Sequence, residues 1–381
     1  MDWVIEGGEA LGEAGLERRD VFVSGGALAE RAAPGARRFD ARGLVVAPGI
    51  VDLHGDGFER NFSPRAGVFF DPETALIETD RQLIANGITT AYLAMTISYE
   101  PGLRSVENAR AWVAALERVR PRLIADIRWQ LRWELYALDA VEEVAGWLSL
   151  APRPVLAFND HFSMLFDAEG REKPKLSSYL ARSGLSEAEY RAMIAKLKAR
   201  ADEVPAAVER LAVAAAAVGA PCFAHDEMSV ETRRAHRGLG IGVSEFPMTE
   251  AVAREAVAAG EPTVLGAPNV VRGGSHIGAL DAEPAARAGL CTALASDYWY
   301  PAPLAAAARM LDAGDLPAEA AWSLVSAGPA RAAGLTDRGT LAPGGRADLA
   351  LFRREGRRAE VEAAFVRGAP ALTADFSRIA G

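Results

Sequence analysis

Eight short apolar runs, each followed by a stretch of helical periodicity, recur along this chain, and that alternation restricts its fold more than any other feature. The runs cover residues 49–54, 88–96, 124–135, 155–160, 222–225, 241–246, 263–267 and 292–297. Strands separated by helices pair in parallel, so eight such units predict an α/β fold closed as a (β/α)8 TIM barrel. The clearest succession runs from residue 222 to 297, where predicted helices over 229–237, 249–260 and 281–289 separate four of the strands. An open doubly wound sheet is the competing architecture, but no Gly-x-Gly-x-x-Gly turn follows an early strand.

The two ends of the chain differ from the middle. Strand-like residues 3–6 and 21–24 precede the Gly25-Gly26 turn, and residues 347–352 and 361–367 have the same character. They are expected to pair as one small β-sandwich domain, residues 1–48 with 336–381, beside a barrel of residues 49–335. Residues 166–210 are too long and too charged for a simple connection. They read as a helical insertion, a lid over the barrel mouth, with 211–218 an ordinary barrel helix.

A chain of 381 residues, half of them hydrophobic, can bury a large core. Its formal net charge of −9 argues against nucleic acid as a partner, although a local basic cluster can still hold a small anionic substrate. Cys222 and Cys291 are the only cysteines and both lie in apolar runs, so neither a disulfide framework nor a thiolate metal site is expected, and a reducing cytoplasm fits. Acidic residues near the start and the lack of a long apolar stretch argue against a signal peptide or a membrane partner. A homo-oligomer stays open.

In such a barrel the catalytic side chains sit at the C-terminal ends of the strands. The ionisable residues predicted there are His54 and Asp56, Glu134, Asp160 with His161, His225 with Asp226, Glu245, and Asp297. His54 and Asp56 are two apart on a strand and so share a face. Three of the chain's five histidines fall at these ends, and a fourth, His276, lies in a Gly-rich segment. Imidazoles and carboxylates without thiolates suit one or two divalent ions, zinc first, with manganese or iron as alternatives. Glu134 is the candidate bridge between two ions, and Asp297 is placed to exchange a proton with an activated water. Glu245 reads equally as an ion-pair partner, and His236, in an Arg-rich helix, reads as a surface residue. In residues 266–276, the Gly273, Gly274 and Ser275 amides could form an anion-binding nest, with Arg272 as a planar fork for phosphate. Arg60, Arg65, Lys173 and Lys175 would add positive field.

The segment Pro48-Gly49-Ile50-Val51-Asp52-Leu53-His54 and the closing Gly344-Gly345-Arg346-Ala347-Asp348-Leu349 resemble the amidohydrolase superfamily. That resemblance implies a metal-dependent hydrolase barrel with a small β-sandwich built from both chain ends. Further segments resemble, within that superfamily, the diphosphatase branch of the phosphonate (carbon-phosphorus lyase) pathway. They are Pro64-Arg65-Ala66-Gly67-Val68, Asn86-Gly87-Ile88-Thr89-Thr90, residues 131–134, Glu245-Phe246-Pro247, residues 266–276 and Ser296-Asp297-Tyr298. The resemblance implies that His54, Asp56, Glu134, His161, His225 and Asp297 surround the metal centre, with Asp297 and His225 catalytic. It also implies that Arg272, Gly273, Gly274, Ser275 and His276, with Arg65 and Glu245, bind a small phosphorylated substrate. The implied reaction releases pyrophosphate from a ribose 5-triphosphate. Two positions depart from these patterns: Asp56 stands where the wider superfamily has a second histidine, as it does in the diphosphatase branch, and no Pro-Gly-Gln follows His161. The same ligands would equally serve a C–N hydrolase, such as a deaminase or cyclic amidase, and a non-catalytic binding protein on a degenerate barrel is the remaining alternative.

Overall fold

The computed structural model describes residues 1–12, 15–65, 67–165, 180, 183–275 and 278–380. Eight parallel strands form one sheet in chain order: β1 (Ile50–Gly55), β2 (Ile88–Ile97), β3 (Asp126–Glu134), β4 (Val155–Asn159), β5 (Cys222–His225), β6 (Val243–Glu245), β7 (Thr263–Gly266) and β8 (Ala293–Ala295). The sheet closes where β8 returns to β1: the Asp297 amide donates to the His54 carbonyl (2.8 Å) and the Asp56 amide to the Asp297 carbonyl (2.9 Å). The result is the (β/α)8 barrel that the alternation predicts.

Strands covered on both faces read as continuous apolar runs, and β2 is buried at every position. In β3 the alternation carries more information. Trp129 packs outward against Trp112 (6.4 Å between ring centroids), while Gln130, Arg132 and Glu134 point into the barrel. The helices begin where the side chains can cap them. Ser229 accepts from the Thr232 amide ahead of Val230–Gly238, and Thr249 from the Val252 amide ahead of Glu250–Ala258.

Both chain ends build two further sheets. One orders Ile379–Ala380, Arg37–Asp40, Trp3–Glu6, Val21–Ser24 and Ala27–Ala29. The other orders Ala369–Thr373, Arg358–Val366, Leu349–Glu355, Val45–Pro48, Glu9–Gly12 and Gly15–Arg18. Trp3 and Phe39 from the first meet Phe365 from the second edge-on at 5.5 and 5.7 Å, which seals a separate core.

Four local expectations change. The strands predicted over 241–246 and 292–297 are shorter, Val243–Glu245 and Ala293–Ala295, and Phe246 (φ 50°) and Asp297 (φ 55°) turn left-handed past their ends. Residues 266–276 are no simple loop: Ala267–Arg272 is a helix, with Pro268 in its first turn where a missing N–H costs nothing. The helix Val204–Val218 runs across residue 210, and ahead of it Glu187–Lys198 starts with a Ser186/Glu189 capping box. His236 is partly buried and engaged inward, not a free surface residue. Its Nδ1 lies 2.8 Å from Glu227 Oε1, in a buried network with Arg233 and Ser244. Residues 166–179 of the expected lid, with Lys173 and Lys175, and His276 lie outside the described residues. Among the described residues no helix is long and apolar enough to cross a membrane.

Candidate metal centre and active site

The C-terminal ends of β1, β3, β5, β6 and β8 converge on a cavity of about 210 Å³ at the barrel mouth. Three overlapping donor groups lie within metal-ligating distance: His54 with His225 and Glu245, His54 with Asp56 and Asp297, and His161 with His225 and Asp226, each set with its ligand atoms within 4.8 Å of one another. His54 and His225 belong to two groups each, so the three merge into one centre.

Backbone strain collects at this centre. Asp226, Phe246, Asp297 and Arg367 are the residues other than glycine with positive φ among those described; the first two directly follow β5 and β6, and Asp297 lies two residues past the end of β8. A left-handed residue there costs energy that the surrounding packing must offset, and such strain gathers at functional sites.

The site's electrostatics divide its residues into two kinds. Burial pushes the His54 imidazole well below its ordinary value and that of His225 down to about 4, so both rings are neutral at neutral pH. Burial, with Asp56 nearby, pushes the Asp297 carboxyl up to about 7. His161 goes the other way. Burial would lower it, but Glu134 Oε1 at 2.6 Å from its Nδ1, together with Asp226, raises it to about 9.

Several buried polar atoms here lack hydrogen-bond partners: His54 Nδ1, His225 Nδ1, Glu245 Oε2 and Arg132 Nη1. His54 Nδ1 comes within 3.1 Å of Glu245 Oε1, but that oxygen accepts from Gln130 Nε2 (2.6 Å). Buried polar atoms without partners are what a cation or ordered water would satisfy, and neutral imidazoles beside carboxylates are a donor set suited to a divalent metal. The residues present therefore fit the metal that the sequence implied.

The structure brings together His54, Asp56, His161, His225, Glu245 and Asp297. Glu134 lies beneath His161 and outside the three donor groups; its oxygens hold the His161 ring and amide (2.6 and 3.3 Å). Asp160 caps the next turn by accepting from the Ser163 amide (2.9 Å). Among the described residues, the amides expected to form the nest are engaged within the chain. The Gly273 and Gly274 amides donate to the Asn269 carbonyl (3.0 and 2.9 Å), and the Ser275 amide donates to Asp281 (2.6 Å), so none is left for an anion. Ser275 lines the cavity, whereas Arg272 and Arg65 are exposed and outside its lining.

Among the described residues the guanidiniums lining the cavity are those of Arg132 and Arg104, which sequence reasoning did not single out. Arg132 is buried. Its Nη2 donates to His225 Nε2 (2.9 Å), and its Nε and Nη2 reach the correctly oriented Asn159 amide oxygen (3.0 and 3.3 Å). Arg104 forks onto Glu59 (3.1 and 3.0 Å) and stands 3.7 Å from Asp56. The period-two run Gln130-x-Arg132-x-Glu134 could have revealed Arg132, since it shares a face with Glu134. Arg104 follows β2 and carries no such pattern.

Comparison with known proteins agrees with this architecture. The sequence profile of the Amidohydrolase family matches residues 85–371. Alpha-D-ribose 1-methylphosphonate 5-triphosphate diphosphatase of Escherichia coli (strain K12) is 30% identical over 337 residues, 86% of this chain and 88% of the relative. N-acyl-D-glutamate deacylase of Alcaligenes xylosoxydans xylosoxydans is 46% identical over 61 residues, 14% of this chain and 12% of the relative. Among solved structures, dihydropyrimidinase from Brevibacillus agri NCHU1002 superposes with a TM-score of 0.62 at 12% identity, covering 98% of this chain and 95% of that one. Beta-aspartyl dipeptidase from Fervidobacterium islandicum AW-1 gives 0.61 at 16% identity, covering 98% and 96%. At those identities the structural likeness concerns the fold alone. The profile and the diphosphatase alignment both run through most of the barrel, and the chain belongs to the amidohydrolase family.

Proposed function

We propose that this protein hydrolyses a phosphoanhydride bond, removing pyrophosphate from a ribose 5-triphosphate that carries a 1-methylphosphonate. The observation that carries the substrate class is the alignment with the diphosphatase over 86% of the chain. The chemistry of the cavity is compatible with it: two guanidiniums, Arg132 and Arg104, stand among the metal-donor groups and suit phosphoryl oxygens.

His54, Asp56, His225, Glu245 and Asp297 would hold the divalent cation, with zinc the first metal to test and manganese or iron next. When bound, the cation supplies Lewis acidity and makes a water more acidic. In the proposed step the water oxygen bonds to the phosphorus next to the ribose, and the bond from that phosphorus to the bridging oxygen breaks. Asp297, with a carboxyl near neutrality, takes the water's proton. The protonated His161, held by Glu134, donates to the departing pyrophosphate. Arg132 Nη1, which makes no hydrogen bond and stands 3.7 Å from Asp56 Oδ2, turns to the phosphoryl oxygens. Two free, buried cysteines are consistent with work in a reducing cytoplasm.

A second reading, cleavage of a C–N bond, is supported by the short match to N-acyl-D-glutamate deacylase. The test is pyrophosphate release from the methylphosphonate triphosphate by metal-reconstituted protein, with Asp297→Asn as control. Asparagine tolerates the left-handed backbone, so the fold should survive while turnover falls by about 100-fold or more. Release that is equal in the control removes Asp297 from the mechanism. No release from the wild type, with turnover of N-acyl-D-amino acids instead, favours the second reading.

A further inference from the structure

At the N-terminal end of the barrel, opposite the active site, a cleft of about 830 Å³ opens between the start of β3 and the small β domain. Five arginines line it: Arg120, Arg128, Arg338, Arg346 and Arg367. Among the described residues Asp126 and Asp337 are the acids of its lining, and Glu117 and Asp348 beside it pair with Arg120 and Arg346, four carboxylates to five guanidiniums in a chain whose formal net charge is −9.

The donors here outnumber their acceptors. Asp126 alone takes Arg128 (2.9 Å), Arg338 (2.8 Å) and Arg346 (3.1 Å). Each guanidinium has five N–H groups and no acceptor of its own. The shortfall appears at Arg346: its side chain is 9% exposed, its Nε is paired with Asp348, and its Nη2 has no partner. Asp348 also accepts from the Arg367 amide (2.8 Å), which sets Arg367 beside Arg346. The Arg367 residue itself is exposed and held left-handed (φ 50°), a conformation that costs energy in a residue with a Cβ. Across the cleft, Ile124 is 44% exposed, with Pro370 and Ala371 forming more apolar wall. The cleft thus pairs surplus guanidinium donors with an apolar flank, at a volume in the range of small-molecule sites.

We propose that this cleft is a second binding site, for a small organic phosphate whose anionic group meets Arg346 and Arg367 and whose apolar body lies against Ile124 and Pro370. It is distinct from the active site and independent of the reaction catalysed there. Because its walls come from both the barrel and the β domain, a bound ligand would join the two.

Arg346 also braces Asp126 and Asp348, so its replacement would confuse binding with folding. Arg367→Glu reverses a charge on an exposed side chain and leaves those pairs intact. The experiment is isothermal titration of the full-length, chelator-treated chain with inorganic pyrophosphate, for wild type and Arg367→Glu. Saturable binding by the wild type that weakens about ten-fold or more in Arg367→Glu is the expected result. An unchanged isotherm in the variant, as binding at the active site alone would give, overturns the proposal, and so does the absence of saturable binding in the wild type.

Discussion

Gly49 shows how one residue sets the relation between sandwich and barrel. It lies between the sandwich strand Val45–Pro48 and β1, and a Cβ there would fall 2.2 Å from Thr89 Oγ1 and 2.6 Å from Thr89 Cγ2. Thr89 is fully buried and has nowhere to move. Gly49→Ala is therefore expected to destabilise by about 1–3 kcal/mol, read as a lower urea midpoint, and Gly49→Ala with Thr89→Ala should recover part of that loss. Equal midpoints for Gly49→Ala and wild type would mean the approach is looser than it looks. At this scale much of the site was legible, since the His54 and Asp56 spacing and the histidines at strand ends follow from period-two geometry. The left-handed turns at Asp226 and Asp297 were not, because both residues are ordinary in sequence and only the packed barrel imposes that conformation.

Between elements, the most informative contact is the seam of β1 and β8. Asp52 is fully buried and accepts from the Ser296 amide (2.9 Å) and the Ser296 hydroxyl (2.5 Å); burial raises its carboxyl to about 6 despite those bonds. Gly55 fits tightly beside this pair, where a Cβ would come within 2.7 Å of Asp52 Oδ2. Ser296→Ala removes the hydroxyl donor and leaves a buried carboxyl oxygen under-satisfied, at about 1–3 kcal/mol of stability. Hydrogen exchange should locate the loss, with the Asp56 and Asp297 amides exchanging faster while the β3–β4 ladder stays protected. Uniform loss of protection would mean that the seam is no local fastener. The strands themselves were readable as apolar runs, whereas a seam joining residues 244 apart was not.

For the whole molecule, Asp126 links the barrel to the segment that leads into the last strands. Its carboxylate, at the start of β3, meets Arg338 and Arg346 at 2.8 and 3.1 Å. Burial alone would raise its pKa, but Arg128 and Arg338 hold the carboxyl well below the usual carboxylate range. A depressed native pKa stabilises the fold above the unfolded value, about 3.9, and that share is lost as pH falls through the native value. Asp126→Asn should cost about 3 kcal/mol near neutral pH, since it strands buried guanidiniums, and the variant's stability should fall less steeply in acid than the wild type's. Parallel acid limbs would exclude Asp126 as the group responsible.

The sequence by itself determined the class of fold and the kinds of ligand available, because periodicity, apolar runs and the placement of histidines are local properties. It located His54, His225 and Asp297, and it anticipated both chain ends in one small β domain. Only the tertiary structure decided which residues face one another. Glu134 serves His161, Glu245 stands beside His54, and the Gly273 and Gly274 amides are bound within their own turn. It also brought Arg132 and Arg104 into the cavity while leaving Arg272 outside. The reason is physical: a side chain's chemistry is written in its type, but its partners depend on strand register and barrel closure, which join residues hundreds of positions apart.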